Sequence, residues 1–598
     1  MKKTFLLSCL MLAAMPVMAA YTGHVYVDKN KNGVFDQSEK PLAGIKVSDG
    51  LNVVETAADG SFTLPGHERE RFIFITTPSG YKTFNRHYHK IEKKQSGYDF
   101  GLIPYSGRIR KNGSHRYIHI ADTEIFNTEN HADWVNNVRD YARNEQAAFI
   151  IHTGDICYEK GLKAHIKLMN TENMDCPVFY CIGNHDLVKG KYGEELFESI
   201  YGPVYYSFDA GNVHYVVTPM PGGDHAPGYT SDDVCRWLKN DLAHIRPGTP
   251  VVVFNHDLLT YEDTFIFKSK NAGSINLNEY NLKAWVYGHW HINYMKKQGD
   301  VYSVCTSSLD KGGIDHSTTA FRVMHVDSKG DFTSELRYTY LDKNICIASP
   351  AGVMASGVLP VAVNVYSSVS PVREVLYTCL ADGKPVLKNK RLLQSTDWSW
   401  NGELPLSHKY VGKELTLRVT ARFNNGEIAE AESNFICRTE KAVPLFSADW
   451  DNLSGNAKHS APVSAPLNLP LQLAWTNNVG ANLYMTSPLI HKGKVIVASV
   501  DEDLKGVGHV YALNGKDGTI LWSCPVRNSI KNSIAVDSDI VFAQDAQGFL
   551  YAIDTETGKL CWEKQLPVNG LPALIDGLVA GEGVVYAGTG KGLCAFEA

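Results

Sequence analysis

Two short stretches, Gly183-Asn184-His185-Asp186 and Gly288-His289-Trp290-His291, decide the fold of the central part of this chain. Each follows an apolar run with the length of a buried strand, such as Val178-Phe179-Tyr180-Cys181-Ile182 before the first of them. Helix-length segments, for example Asp133 to Gln146, separate these runs. The alternation predicts an α/β domain with its functional groups at the carboxyl ends of its strands, where open α/β sheets place their sites.

Three further apolar runs end in the same kind of residue. The motifs that follow them are Asp122-Thr123-Glu124, Gly154-Asp155 and Asn255-His256. Any one of these motifs alone has a structural explanation, because Asp and Asn are common turn residues. Together they supply carboxylate, amide and imidazole groups, which suit Mn, Fe, Zn or similar ions. The set predicts a site for two adjacent cations, the arrangement that favours phosphoryl chemistry.

In this order the motifs resemble those of the calcineurin-like metallophosphoesterase family over about residues 115–345, within a predicted domain of residues 105–345. The resemblance implies hydrolysis of a phosphomonoester or phosphodiester by a water that bridges two metal ions. His185 would then be the general acid, and Asp186 either its orienting partner or a turn residue. The implied metal ligands are Asp122 and His291 at the first ion, Asn184, His256 and His289 at the second, and Asp155 between them.

One position departs from the family pattern, which has Asp-x-His where this chain has Asp122-Thr123-Glu124. Glu124 either gives a carboxylate oxygen to the first metal, which would weaken the activation of water, or points into solvent. Tyr158 has the spacing of a metal-binding tyrosine of purple acid phosphatases, but the first motif differs there, so we expect it to pack or to line the cleft. Candidate cleft walls that would set specificity are Tyr201–Phe208, His214 and Gly222–Gly228.

Two other functions stay open at this point. The first is a catalytically degenerate metal-binding protein whose β modules bind a partner or a glycan. Glu124 supports this reading, whereas the retained His185 argues against it. The second is a hydrolase of another bond that uses the same metals.

The segment 21–104 alternates apolar and polar residues and predicts a β-sandwich. Its sequence DKNKNGVFDQSE, from Asp28 to Glu39, has the spacing of a calcium loop, with Gly33 at the sharp turn. The alternative is a polar hairpin turn. The segment resembles the amino-terminal sandwich of secreted metallophosphoesterases and the calcium-loop repeats of surface proteins. The calcium ligands would be Asp28, Asn30, Asn32, the carbonyl of Val34, Asp36 and Glu39.

The carboxyl-terminal part predicts three segments: a second β-sandwich over 346–440, a linker over 441–470 and a partial β-propeller over 471–598. Tyr511-Ala512-Leu513-Asn514 is repeated 40 residues later as Tyr551-Ala552-Ile553-Asp554, and a period near 40 is typical of propeller blades. The repeats resemble blades of propellers of the pyrroloquinoline-quinone dehydrogenase type, without an indication of that cofactor. About three blades cannot close a ring, so either the chain is truncated or another subunit supplies blades. A protein or glycan partner is expected for this part.

Composition and the first residues bear on location and partners. The chain has 598 residues, 44% of them hydrophobic and 20% charged, which excludes a disordered protein and predicts about four domains. Its net charge is −6 and it has no basic run, so nucleic-acid binding through a basic face is not expected. Residues 1–20, with Lys2-Lys3, an apolar run and Ala19-Ala20, predict a signal peptide and a secreted, periplasmic or cell-surface protein. Lipidation at Cys9 is a minor alternative, and no segment predicts a transmembrane helix.

Overall fold

The computed structural model describes residues 20–67, 69–439, 449–460, 473–484, 486–568, 572 and 577–597. The predicted signal peptide, apart from Ala20, and much of the predicted linker lie outside these residues. The chain is multidomain and mostly β, and the α-helices of the described residues all lie between Ala132 and Ala243. None of the helices in the described part is both long and apolar enough to cross a membrane.

The amino-terminal segment forms two small sheets that pack on each other. One has the order β2-β1-β9-β7, with β5 also paired to β1, and the other has the order β4-β3-β6-β8. Alternate residues such as Val25, Val47 and Phe62 fill the space between the sheets. The strands are β1 (Tyr21–Val27), β2 (Lys40–Pro41), β3 (Lys46–Ser48), β4 (Val53–Glu55), β5 (Ser61–Leu64), β6 (Phe72–Ile75), β7 (Tyr81–Thr83), β8 (Tyr88–Lys90) and β9 (Phe100–Pro104).

The central segment is a four-layer arrangement of helices on two face-to-face sheets. Its strands are β10 (His115–Ile120), β11 (Ile150–His152), β12 (Val178–Tyr180), β13 (Tyr206–Ala210), β14 (Val213–Val217), β15 (Val251–Phe254), β16 (Ile266–Lys268), β17 (Ser274–Asn276), β18 (Leu282–Tyr287), β19 (Tyr294–Gln298), β20 (Val301–Cys305), β21 (Ala320–Val326) and β22 (Phe332–Tyr338). Its helices are α1 (Ala132–Asn144), α2 (Tyr158–Leu168), α3 (Thr171–Met174), α4 (Glu195–Tyr201) and α5 (Ser231–Ala243).

The two large sheets of this segment have the orders β12-β11-β10-β21-β22 and β13-β14-β15-β18-β20-β19. Aromatic rings join them, since Tyr117 and Phe149 of the first sheet pack against Tyr215 and Phe254 of the second. Helix α1 covers the first sheet with one apolar face. Helix α5 starts at a capping box, in which Thr230 and Asp233 satisfy each other's backbone N–H groups, and it packs on the second sheet.

A second sandwich follows, built from sheets of the orders β23-β25-β29-β28 and β24-β31-β30-β26-β27. Its strict apolar alternation, for example along β25, puts every second side chain into the core. The strands are β23 (Asn344–Ser349), β24 (Gly352–Ala355), β25 (Val358–Tyr366), β26 (Val372–Ala381), β27 (Lys384–Arg391), β28 (Leu393–Gln394), β29 (Ser399–Pro405), β30 (Glu414–Phe423) and β31 (Ile428–Arg438).

The described carboxyl-terminal residues form three antiparallel sheets with the meander order of propeller blades. Trp522 of the first sheet donates its Nε1–H to Thr555 O, beside the second sheet, at 3.0 Å. Trp475, which precedes the first sheet, donates its Nε1–H to Gly515 O at 2.8 Å and so packs on that sheet. The strands are β32 (Leu489–His491), β33 (Lys494–Ala498), β34 (His509–Asn514), β35 (Ile520–Pro525), β36 (Ala535–Asp537), β37 (Ile540–Gln544), β38 (Phe549–Asp554), β39 (Leu560–Gln565), β40 (Leu578–Gly581), β41 (Val584–Thr589) and β42 (Gly592–Glu597).

The first two of these sheets contact the central segment through a buried connection between them. Lys531, in the connection from β35 to β36, donates to Asn293 O at 2.6 Å and to Asp315 Oδ2 at 2.7 Å. Asn528 donates to Met295 O at 3.0 Å. The carboxyl-terminal part therefore touches the segment that follows the His289-Trp290-His291 motif.

Candidate metal centre

The five strand-end motifs meet because their strands are parallel neighbours. Strands β10, β11 and β12 pair in parallel in one sheet, and β15 and β18 pair in parallel in the other. Their carboxyl ends lie at the same edge of the two packed sheets. The loops after them bring six predicted residues together around Asp155: Asp122, Glu124, Asp155, His256, His289 and His291. The loop of the seventh, Asn184, is joined to them by the hydrogen bond from His185 N to Asp155 Oδ1 at 3.0 Å.

Two groups of ligand atoms in the cleft share one carboxylate. The ligand atoms of Asp155, His256 and His289 lie within 4.8 Å of one another, and so do those of Asp122, Asp155 and His291. His256 Nε2 is 3.0 Å from Asp155 Oδ2. The residues fit a dinuclear site in which Asp155 belongs to both ions.

The buried side-chain amide of Asn184 also supports a metal site here. Its Oδ1 atom is buried and has no hydrogen-bond partner among the described residues. A buried amide oxygen without a partner is costly, because it has lost its water and gained nothing in exchange. A bound cation would satisfy it, and the assignment of Asn184 to the same ion as His256 and His289 stays a prediction.

The backbone of the cleft is held in an unusual conformation. Five of the predicted metal ligands are in the left-handed region, which is uncommon for residues other than glycine: Asp122 (φ 51°), Glu124 (φ 44°), Asp155 (φ 55°), His289 (φ 64°) and His291 (φ 51°). Strain of this kind concentrates at functional sites. The chain also approaches itself closely here, since a Cβ on Gly183 would lie 2.2 Å from Asp155 Oδ1. This contact explains the glycine of the Gly-Asn-His-Asp motif.

Burial makes the carboxylates of the cleft dependent on positive charge. Desolvation is the largest influence on Asp122 and raises the pKa of its carboxyl well above the usual range. Burial also acts to raise the pKa of Asp155, but the neighbouring His256 imidazole outweighs it and lowers that pKa to about 2. Asp155 is thus an anion that needs a cationic neighbour, the role that bound metal ions would take.

Glu124 lies beside the first group of ligands and also has a cationic partner. Its Oε1 atom is 3.5 Å from His291 Nε2, and Lys311 donates to its Oε2 atom at 3.0 Å. Its side chain is about one quarter exposed, at 26%. The sequence left ligation or solvent exposure open; Glu124 faces the cleft in an ion pair, and its ligation of a metal stays a prediction.

Of the two roles that the sequence left open for Asp186, partner of His185 or turn residue, the contacts agree with a residue that fixes the backbone of the loops. Asp186 is buried and accepts hydrogen bonds from the backbone N–H groups of Cys157 and Gly183, both at 2.9 Å. Its carboxylate therefore joins two motif loops and does not orient the imidazole. The residue that contacts the ring is Asp224, whose Oδ2 is 2.9 Å from His185 Nδ1.

The imidazole of the candidate general acid His185 is partly exposed, with 33% of its side chain accessible to solvent. Burial acts to lower the pKa of its imidazole, but the hydrogen bond to Asp224 and the charge of Asp155 outweigh this effect and raise that pKa above its ordinary value. The position therefore favours a protonated ring, the form that a general acid needs.

The candidate cleft walls differ in outcome. The Gly222–Gly228 loop reaches the site, because it carries Asp224. His214 does not, since it is buried between Asp209 and Asp241, with Nε2 2.8 Å from Asp241 Oδ2. Most of Tyr201–Phe208 is also buried, so this part of the prediction is wrong. The sequence pattern of a strand does not distinguish a histidine in a buried ion pair from a histidine that lines a cleft.

The roles of Asp224 and Lys311 in the cleft were not predicted from the sequence, although Asp224 lies in the predicted Gly222–Gly228 wall. Both reach it from loops without a recognisable motif, and Lys311 lies 187 positions from its partner Glu124. Tyr158 is 43% exposed at the cleft mouth, in agreement with the second of the two placements expected for it.

The predicted calcium loop is separate from this centre and has a closed form. Asp28 is buried and accepts from Gly33 N at 2.9 Å, while Glu39 accepts from Lys29 N at 2.8 Å. Asn30 donates to Asp36 at 2.7 Å. The oxygen-bearing side chains of Asp28, Asp36 and Glu39 thus make hydrogen bonds within the loop itself. Calcium binding by this loop stays a prediction.

Comparison with known proteins defines the class of the central segment. The family model "Calcineurin-like phosphoesterase" matches residues 115–293, and "N terminal of Calcineurin-like phosphoesterase" matches residues 29–104. A third model, "Outer membrane protein assembly factor BamB", of the PQQ repeat type, matches residues 472–598. The chain therefore contains a calcineurin-like phosphoesterase domain with its amino-terminal domain, followed by a PQQ/BamB-like region.

Among individual proteins, the chain is similar to purple acid phosphatase 13 of Arabidopsis thaliana, with 26% identity over 215 residues, 34% of this chain. The chain spans 36% of the length of that relative.

Solved structures with partial similarity include a predicted phosphoesterase of Streptococcus pneumoniae (10% identity, 38% of this chain and 98% of that one, TM-score 0.18). BamB of Moraxella catarrhalis is another (10% identity, 46% and 77%, TM-score 0.14). TM-scores this low carry no argument about function.

Proposed function

We propose that this protein is a metal-dependent phosphoesterase that hydrolyses a phosphomonoester or a phosphodiester. The observation that carries the proposal is the pair of ligand groups that share Asp155, within a calcineurin-like phosphoesterase domain. When bound, two divalent or transition metal ions such as Mn, Fe or Zn would supply Lewis-acid activation of water and neutralise phosphate charge. Asp122 and His291 would hold the first ion, and Asn184, His256 and His289 the second.

The chain's own residues then have separate tasks. Asp224 engages Nδ1 of His185 and leaves Nε2 directed to another partner. As the bond from phosphorus to the leaving oxygen breaks, the proton on Nε2 would pass to that oxygen, so that the product leaves as a neutral alcohol. Asp186 keeps the loops that carry Asp155 and His185 together through backbone hydrogen bonds.

We extend the proposal to the location of the protein and to its amino-terminal loop. The pattern of residues 1–20 supports export. The closed loop from Asp28 to Glu39 supports a structural calcium ion, because a loop flanked by strands has no helix pair to open.

The test is hydrolysis of an aryl phosphomonoester and an aryl phosphodiester by the chain without residues 1–20. The protein is loaded separately with Mn, Zn, Fe and Ca. We expect turnover with at least one transition metal, and a ratio between the two esters that defines the preferred class.

Asp155→Ala is the control and should abolish turnover while the far-ultraviolet circular dichroism spectrum stays the same. Metal binding without turnover of either ester would contradict the proposal and favour the metal-binding protein without catalysis.

A further inference from the structure

Two aromatic side chains at the mouth of the cleft remain exposed although large apolar groups usually pack. Phe126 is 57% exposed and Tyr158 is 43% exposed. Their rings are nearly parallel, at 19°, with centroids 6.4 Å apart. We call this pair the aromatic platform. The chemistry proposed for the metal centre does not involve either ring.

The backbone holds Tyr158 in this exposed position. Cys157 and Tyr158 are consecutive non-glycine residues in the left-handed region, with φ of 74° and 54°. Two hydrogen bonds fix them: Tyr158 N donates to His185 O at 3.1 Å, and Cys157 N donates to Asp186 at 2.9 Å. A strained conformation that survives because its surroundings impose it suggests a use for the side chain it presents.

The platform lies on the general-acid side of the metal centre. The Tyr158 ring is 5.4 Å from the His185 ring, centroid to centroid. Phe126 follows Glu124 by two residues and therefore borders the same cleft. In the proposed function His185 protonates the leaving oxygen, so the group that leaves has to lie beside these rings.

From this arrangement we infer that the platform binds a flat aromatic ring in the leaving group of the substrate, as in a nucleoside phosphoester. The inference rests on the proposed function and deepens it by naming a substrate class. Nucleobases stack on exposed aromatic side chains in many proteins, and the stacking does not depend on which base is present. A leaving group that has no ring would gain nothing from the platform.

The experiment compares a nucleoside 5′-phosphate with ribose 5-phosphate, which has the same type of primary leaving oxygen but no base. Both are used as monoesters and as methyl diesters, so that either phosphoesterase class is covered. The variants are Phe126→Ala, Tyr158→Ala and Tyr158→Phe. Tyr586→Ala, which removes an equally exposed tyrosine from the third carboxyl-terminal sheet, is the matched control.

We expect each alanine variant at the platform to lower kcat/KM for the nucleotide by about 5- to 150-fold, the range found for single stacking residues. Ribose 5-phosphate hydrolysis should stay the same, and Tyr158→Phe should retain the nucleotide preference because the ring remains. The control variant should leave both rates unchanged.

Equal rates of the wild-type protein on the two substrates would overturn the inference and leave the phosphoesterase proposal intact. An equal loss on both substrates in the platform variants would overturn it too. Binding of a non-hydrolysable nucleoside phosphonate to the metal-loaded protein, measured by calorimetry, tests the platform without turnover. Absence of all ester hydrolysis would contradict the proposed function alone, while loss of phosphonate affinity in Tyr158→Ala would still support the platform.

Discussion

Replacing Lys531 by Met would leave two buried carboxylates without their counter-ion. The Lys531 side chain is almost completely buried, and its Nζ pairs with Asp315, at 2.7 Å, and with Glu502. Asp315 and Glu502 are buried as well. Removal of one partner from a buried ion pair costs about 3 to 5 kcal/mol, because the remaining charge has lost both water and its partner.

The loss should extend to the first metal site. Lys531 also donates to Asn293 O at 2.6 Å, two residues after His291. The neighbour of Asp315, Ile314, donates its N–H to His291 O at 2.9 Å. Lys531 therefore holds both chain segments that position His291, and we expect weaker metal binding at the Asp122 and His291 group.

The assay is thermal unfolding followed by circular dichroism, together with metal titration by calorimetry. For a unit of 150 to 250 residues, the expected loss lowers the midpoint of the first transition by about 10 °C. The exposed Lys516→Met is the control and should shift it little. The triple variant Lys531→Met, Asp315→Asn, Glu502→Gln should recover part of the loss, since no unpaired charge remains. A midpoint for Lys531→Met equal to that of the control would refute the reasoning.

Three further predictions concern other parts of the chain. Burial would lower the pKa of His214, but the Asp241 and Asp209 carboxylates outweigh it and raise that pKa to about 9. The stability that this group contributes should therefore be complete below pH 6.5 and fall by about 3 kcal/mol as the pH rises through 9. Urea unfolding at pH 6 and pH 10 measures this change, and the same pH dependence of the unfolding free energy in His214→Gln would disprove the assignment. Gly183→Ala should reduce metal affinity at least tenfold, because the added methyl group collides with Asp155 Oδ1; calorimetry that finds wild-type affinity would show that the loop adapts. Calcium should raise the unfolding midpoint of the protein, and Asp28→Ala should remove that increase; an equal rise in the variant would locate the ion elsewhere.

The clustering of the predicted metal ligands could be predicted from the sequence, because each of them lies directly after an apolar strand. Parallel pairing then brings the strand ends together, so local motifs such as Gly183 to Asp186 were enough to place distant residues in one cleft. The blades could be predicted because Tyr511-Ala512-Leu513-Asn514 recurs 40 residues later, and the two copies form the equivalent strands β34 and β38 of successive sheets.

The partners of these groups could not be predicted, because they depend on contacts between distant loops. Asp224 lies in the Gly222–Gly228 loop, a predicted cleft wall, but its contact with His185, 39 positions away, has no signal in the sequence. Lys311 reaches Glu124 across 187 positions, and nothing in its neighbourhood distinguishes it from a solvated residue. The burial of Lys531 could not be predicted either, because lysines are mostly exposed and its two carboxylate partners, Asp315 and Glu502, are distant in sequence. For His214 the error has the opposite direction: it was predicted to line the cleft, whereas it is buried in ion pairs with Asp209 and Asp241.

Metal stoichiometry shows whether Asp155 belongs to two metal sites. Equilibrium dialysis against Mn or Zn, followed by elemental analysis, would be run on the wild-type protein, Asp122→Asn and Asp155→Asn. If both ions share Asp155, we expect two ions per chain for the wild type, one for Asp122→Asn, and loss of tight binding of both for Asp155→Asn. Two tightly bound ions in Asp155→Asn would show that Asp155 is not shared.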